Sequence, residues 1–337
     1  MRNLTLDSIN MPSWNEALQS QEFSWVNLQF VYKAIDTLYL PPYKGSTLRG
    51  AFGNALKKLH CDSATCNGCA NTDKCVYLYI FETPRALAAN MEYHTDKAPH
   101  PFAIEPPATE QTQFAPHDEI AFDVTLFGEA VMHGQTFIEG FREAGKHGFG
   151  RSRGRCRLTH VYIYDNLLKT QKTEIYSAQA AGCNPAITTR RFAELVDVCQ
   201  RFETSCIKVQ CVTPMRIATD HKLQTELPFH LLVRSLLRRV SMLGQAHCNA
   251  QWDLPFNDIL ADAEHITIVN SNLQWYDWQR YSNRQGGPMK LGGLMGEIVY
   301  HGAIQPFMPL ILLGSFVHAG KGTSFGLGKF DVSIQPY

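Results

Sequence analysis

The chain has 337 residues, with 31 basic side chains against 31 acidic ones, and is 45% hydrophobic and 18% charged. This balance provides for two cores of ordinary size and excludes a largely disordered chain, while the cancelling charges exclude a whole-molecule field for polyanions, so any nucleic-acid surface must be local. The opening MRNLTLDSINMPSWNEAL lacks a basic n-region and an apolar h-region, and the longest apolar run, 306–317, is too short for a bilayer. A cytoplasmic protein without a membrane partner is expected, whose ten cysteines are thiols or metal ligands rather than disulfides.

In chain order, hydrophobic periodicity predicts a strand at Phe23–Ile35, a helix at Ser46–Leu59, a strand at Ile120–Phe127, a helix at Thr136–Ala144 and a strand at Arg157–Tyr164. Six prolines at 84–117 predict an irregular insertion inside this first unit. The polar stretch 166–187 reads as a linker. A second series follows: strand Cys206–Ile217, helix Leu227–Leu243, strands Ile266–Tyr281 and Gly293–Tyr300, helix Ile304–Phe316 and strand Lys329–Gln335. Both series put a glycine-rich loop before the last strand. The expected fold is α+β, two ferredoxin-like βαββαβ domains in tandem. The first domain is set at 1–170 with a cysteine-rich insertion, the linker region at 171–200, and the second domain at 201–337.

The most specific segment is HAGKGTSFGLGKF at 318–330. Gly320, Gly322, Gly326 and Gly328 let backbone N–H groups approach a phosphate, with His318 placed for proton transfer and Lys321 for the developing charge. No Gly-Lys-Ser/Thr ends the run, so a nucleotide-triphosphate loop is not expected. Arg151, Arg153, Arg155 and Arg157 alternate along the first glycine loop, on one side of an extended chain, either as phosphate forks or as a solvated edge. Arg234, Arg238 and Arg239 share one helix, the first two a turn apart, as stem contacts or a plain exposed stripe. Trp275, Tyr276, Trp278 and Tyr281 beside Arg280 and Arg284 read as strand aromatics packed in the core, with base stacking as the functional alternative.

Cys61, Cys66, Cys69 and Cys75 follow the spacing C-x4-C-x2-C-x5-C. Four thiolates so close in sequence suit a structural zinc, with an iron–sulfur cluster as the competitor and unliganded thiols as the plain reading. A catalytic zinc is not expected, because an all-thiolate site leaves no open position for substrate.

YKGSTLRGAFGNALKKL at 43–59, the cysteine cluster followed by YLYIFET, KLGGLMGEIVYHG at 290–302 and LLGSFVHAGKGTSFGLGKF at 312–330 resemble the CRISPR-associated RAMP endoribonucleases that process precursor CRISPR RNA. The resemblance runs from about Phe23 to the C-terminus. It implies cleavage of repeat RNA without a metal cofactor, by attack of a ribose 2′-hydroxyl that leaves a 2′,3′-cyclic phosphate. It also implies a catalytic histidine whose position varies between branches. His60, after the first helix, is therefore a second candidate beside His318, with Tyr43 and Lys44 completing its site. The alternative function is a non-catalytic subunit that holds crRNA among other subunits of a CRISPR effector complex.

Overall fold

A computed structural model describes residues 13–19, 22–61, 66, 69, 75–83, 98–180, 187–277, 279–282 and 287–335. In the first domain, β1 (Ser24–Ala34), α1 (Gly45–His60), β2 (Phe102–Glu105), β3 (Glu119–Phe127), α2 (Gly134–His147) and β4 (Cys156–Tyr164) form an antiparallel sheet in the order β2-β3-β1-β4. Strand β5 (Lys172–Ser177) extends it beyond β4. In the second domain, β6 (Cys206–Met215), α3 (Phe229–His247), β7 (Thr267–Ser271), β8 (Gly293–His301), α4 (Met308–Val317) and β9 (Phe330–Ile334) repeat the plan, in the order β7-β8-β6-β9. The tandem ferredoxin-like architecture is as expected.

Alternation along β1 decides what each face of the first sheet meets. Val26, Leu28, Phe30 and Tyr32 are buried in the domain's own core, under the helices. There Phe52 of α1 stacks on Phe137 and Phe141 of α2, with centroids 5.0 and 4.5 Å away. The opposite face carries Trp25, which joins Ala103, Phe127 and the second domain's Phe316 and Trp252 in a shared core. The Trp25 and Phe316 rings lie 5.4 Å apart. A continuous apolar core thus crosses from one ferredoxin unit to the next.

Three expectations need correction. The proline-rich stretch 84–117 is not wholly irregular, because β2 lies within it, flanked by Pro99 and Pro101 on one side and Pro106 and Pro107 on the other. Four residues between proline pairs fit an edge strand, where a missing N–H disrupts no ladder. The Pro101 carbonyl still accepts the Phe127 N–H at 2.9 Å. Residues 84–97 of that stretch lie outside the described residues. The 171–200 linker is likewise partly structured: β5 belongs to the first sheet, Arg190–Arg191 pairs with the start of β1, and helix Phe192–Cys199 packs into the shared core. The expected long strand 266–281 is divided into β7, Gln274–Tyr276 and Gln279–Ser282.

Candidate nucleic-acid interface at the domain seam

The second glycine loop lies against the first domain. Much of its backbone is engaged inside the protein: Gly320 N–H donates to Ser235 Oγ, Lys321 to the Arg216 carbonyl, Phe325 and Leu327 to Gly322, Gly326 to Thr323, Gly328 to Pro214 and Lys329 to Thr213 Oγ1. These bonds stay within the second domain, so the N–H groups of Gly320, Gly326 and Gly328 are taken up inside the protein rather than offered to a phosphate as the expected cradle required. Gly326, at φ +89°, sits where a Cβ would collide with the Ile104 carbonyl of β2, and a Cβ at Gly45 would collide with the Phe325 carbonyl. Glycine at both places lets backbone meet backbone across the seam. Lys321 is exposed beside it.

The first turns of α1 meet this loop through polar side chains. Tyr43 donates to the Phe325 carbonyl at 2.7 Å, and burial pushes its phenol well above the usual range. The Arg49 guanidinium is held between the rings of Phe81 and Phe325, at 4.2 and 4.5 Å from their centroids. Its Nε donates to Ser324 Oγ at 3.2 Å and its Nη2 lies 2.7 Å from His100 Nε2. Phe81 comes from a single turn of π-helix, Leu78–Glu82, that follows the cysteine segment. Neither Arg49 nor His100 was singled out from the sequence: Arg49 is one of many helical arginines, and His100 sits in a proline-rich stretch without periodicity.

Behind the seam lies a buried charge network. Glu105 of β2 meets Lys169 at 2.9 Å and Lys329 at 3.3 Å, and Lys169 also reaches Asp123 at 3.1 Å. Burial alone would raise the Glu105 carboxyl, but the Lys329 and Lys169 ammonium groups, with His318 beside them, hold it well below the usual range. Burial instead dominates at Asp123 and raises it. Arg239, half-buried, donates Nε–H to the Val317 carbonyl at 2.8 Å, and desolvation lowers its pKa to about 9.

His318 belongs to this network. Its ring is 0% exposed and lies 3.9 Å from Glu105 Oε1, and burial lowers its pKa despite that carboxylate. The residue ends α4 at φ +64°, ψ 160°, a strained region for a side-chain-bearing residue. A ring sealed between domains cannot touch a ribose hydroxyl in this conformation, so the proton-transfer role expected of His318 is corrected to an interdomain one. His60 is exposed, but eleven residues along α1 place it about 16 Å from Arg49, outside the seam. Lys44 is also corrected: it is 1% exposed, with Nζ donating to the carbonyls of Pro42 and Thr109 at 2.9 and 2.7 Å.

The other candidates lie away from the seam. Arg151, Arg153, Arg155 and Arg157 are all exposed, and the Arg155 guanidinium is tied to Asp36 by two bonds of 2.8 and 3.1 Å. Arg234 and Arg238 are exposed on α3, and Arg239 of the expected trio points inward. Trp275 and Tyr276 are 37% and 47% exposed, against the expected core packing. Trp278 and Arg284 lie outside the described residues, and so do the side chains of Arg280 and Tyr281. Cys61, Cys66, Cys69 and Cys75 are half-buried, and Cys66 and Cys75 pack on the first core. Among the described residues no three His, Cys, Asp or Glu side chains are grouped as metal ligands, and no helix is long and apolar enough to cross a membrane.

Comparison with known proteins follows the same division. Residues 23–188 match a family model described as an N-terminal domain, and residues 209–330 match the model of the CRISPR-associated endoribonuclease Cas6. An uncharacterized protein of Archaeoglobus fulgidus is 24% identical over 302 residues, covering 87% of this chain and 93% of that one. Among solved structures, a partial Cas6-RT-Cas1–Cas2 complex is similar with a TM-score of 0.60 at 12% identity, over 94% of this chain and 47% of that longer chain, so the chain spans about half the length of this relative. A Thermus thermophilus Cas6 and its product complex give TM-scores of 0.52 and 0.53 at 15% identity, over 92% of this chain and 99% and 98% of theirs. At these identities the structural likeness is one of fold. The chain is thus similar to the CRISPR-associated endoribonuclease Cas6: that family's model matches the unit that carries the 320–328 glycine loop, and the tandem ferredoxin-like fold is the one the Cas6 structures share.

Proposed function

We propose that the protein is an endoribonuclease that cleaves CRISPR repeat RNA in precursor transcripts at the seam between its domains. The reaction is attack of a ribose 2′-hydroxyl on the adjacent phosphate, without a metal, giving a 2′,3′-cyclic phosphate and a 5′-hydroxyl. The observation that carries this reading is the placement of the Arg49 guanidinium against Ser324 and Phe325 of the glycine loop. A planar cation fixed between aromatic rings suits a phosphate diester and its flanking bases. Lys321, exposed on the same glycine loop, supplies a second positive charge for the phosphorane. Arg151, Arg153, Arg234 and Arg238 hold the RNA elsewhere through its backbone. The proposal extends to association with other subunits of a CRISPR effector complex.

Purified protein incubated with repeat RNA in EDTA tests this reading. The expected result is one cut, abolished when the scissile 2′-hydroxyl is removed. Binding without cutting would favour the non-catalytic crRNA-holding subunit, and cutting of the deoxy analogue would overturn the mechanism.

A structural metal is a separate proposal. Cys61 and Cys75 are near enough to Cys66 for their charges to raise its thiol, after burial and Glu82, and Cys75 Sγ accepts the Leu78 N–H at 3.4 Å. The four thiols do not form a ligand group as they stand, so zinc binding requires them to close in. Such a site would buttress the turn that carries Phe81. One equivalent of zinc by elemental analysis, lost in Cys66→Ser, supports it; iron with sulfide supports the cluster instead, and neither leaves the thiols structural.

A further inference from the structure

His60, His301 and His318 lie within or beside the motifs that carry the family resemblance, yet the ring that faces Arg49 belongs to His100, outside all of them. From this geometry we infer that His100 is the proton acceptor for the RNA 2′-hydroxyl and that Arg49 is its phosphate anchor, an inference that rests on the endoribonuclease reading above.

His100 is held in place from both sides of the chain. The carbonyl of Pro99 accepts the Nε2–H of His247, at the end of α3, at 2.7 Å, and the carbonyl of Pro101 accepts the Phe127 N–H at 2.9 Å. The imidazole packs between Phe102 and Phe81, with centroids 5.8 and 6.1 Å away and interplanar angles of 29° and 33°. Both domains therefore fix the ring, since His247 belongs to the second and Phe127 to the first. Such locking is what a reacting group requires of its surroundings.

The contact with Arg49 settles the protonation state. A guanidinium offers only donors, so at 2.7 Å His100 Nε2 must accept. The ring is then a neutral imidazole with its lone pair directed at the cation. A scissile phosphate settling on Arg49 takes over that Nη2 donor, because a phosphate oxygen is the stronger acceptor for guanidinium. The Nε2 lone pair is thereby released beside the ribose. His100 takes the 2′-hydroxyl proton as the 2′-oxygen bonds to phosphorus. The bond from phosphorus to the 5′-oxygen breaks, the departing oxygen takes a proton from water, and the imidazolium returns its own to water. Ser324, bonded to Arg49 Nε, keeps the guanidinium plane oriented toward the loop.

Single-turnover cleavage of repeat RNA in EDTA, with affinity measured in parallel on the 2′-deoxy analogue, tests the assignment. His100→Ala and His100→Gln are expected to slow cutting at least 100-fold with affinity within threefold. Arg49→Ala should lower both rate and affinity, and Arg49→Lys should recover affinity better than rate, because an ammonium lacks the fork. The wild-type rate should rise with pH along an imidazole limb that is missing from the residual activity of His100→Gln. Folded His100 variants that cut within threefold of wild type overturn the inference while leaving the endoribonuclease reading intact; wild-type protein that never cuts removes both. Should the His100 variants fail to fold, carbethoxylation of wild-type protein mapped by mass spectrometry decides: protection of His100 by the 2′-deoxy analogue is expected, and an unprotected His100 overturns the assignment.

Discussion

The two glycine loops occupy equivalent places, each between the second helix and the last strand of a ferredoxin-like unit, yet they face different surroundings. The first, at 148–154, folds back on its own domain: Gly150 and Gly154 sit tight against Tyr39 and Leu38, while Arg151 and Arg153 project into solvent. The second, at 320–328, is bonded through its backbone to Arg216 and Pro214 of its own domain but also meets the other domain, where the Tyr43 hydroxyl donates to the Phe325 carbonyl and Gly326 lies against β2. One is a solvated cationic edge and the other a structural joint with a cation poised over it. A shared position in the fold therefore does not imply a shared role; the neighbour across the loop decides it.

Removing the central anion of the joint should cost most. Glu105→Ala leaves Lys329 and part of the Lys169 charge buried without their partner, and a loss of about 3–5 kcal/mol in urea unfolding is expected. Because the Glu105 carboxyl is held below its unfolded value of about 4.3, its contribution is complete above that pH and is lost as pH falls through the folded value. Glu105→Gln should accordingly flatten the acid limb of the stability profile, and an unchanged limb would show that the network is not what acid breaks.

Gly328→Ala comes next. At φ +74°, with the Ala319 carbonyl in the place of a Cβ, a loss of about 2–4 kcal/mol is expected from strain and displacement, whereas Gly50→Ala, in open space on α1, should be neutral or slightly stabilising. Equal effects at the two positions would contradict the tight joint. His247 adds a milder pH dependence. Burial brings its pKa down to about 4, below the unfolded value of about 6.5, so the unfolded chain binds the proton first and stability declines as pH falls through that window. His247→Gln should remove this part of the decline.

The solvated loop should respond least in stability and most in salt dependence. Arg151→Ala with Arg153→Ala is expected to leave the melting temperature unchanged while lowering repeat-RNA affinity, with the slope of log affinity against log salt falling by about 0.7–0.9 for each phosphate contact removed. Arg155→Ala, which only releases an exposed pair with Asp36, should change neither fold nor cutting.

Hydrophobic periodicity and glycine placement determined the two repeated units, most of their strands and helices, and the family resemblance. Each depends on local patterning: alternate apolar residues such as Val26, Leu28 and Phe30 must share one face wherever the strand goes. Strand β2 was not legible, because four residues between prolines carry no period of their own and become a strand only when β3 supplies the partner edge. The candidate site was legible as a segment and not as a set of residues. The 318–330 motif marked the seam, but burial of His318 and Lys44, and the meeting of Arg49 with His100 fifty-one positions away, arise only when the domains close on one another. Tertiary packing alone decides which imidazole is sealed in low dielectric and which one faces a cation, since both outcomes turn on neighbours that are distant in the chain.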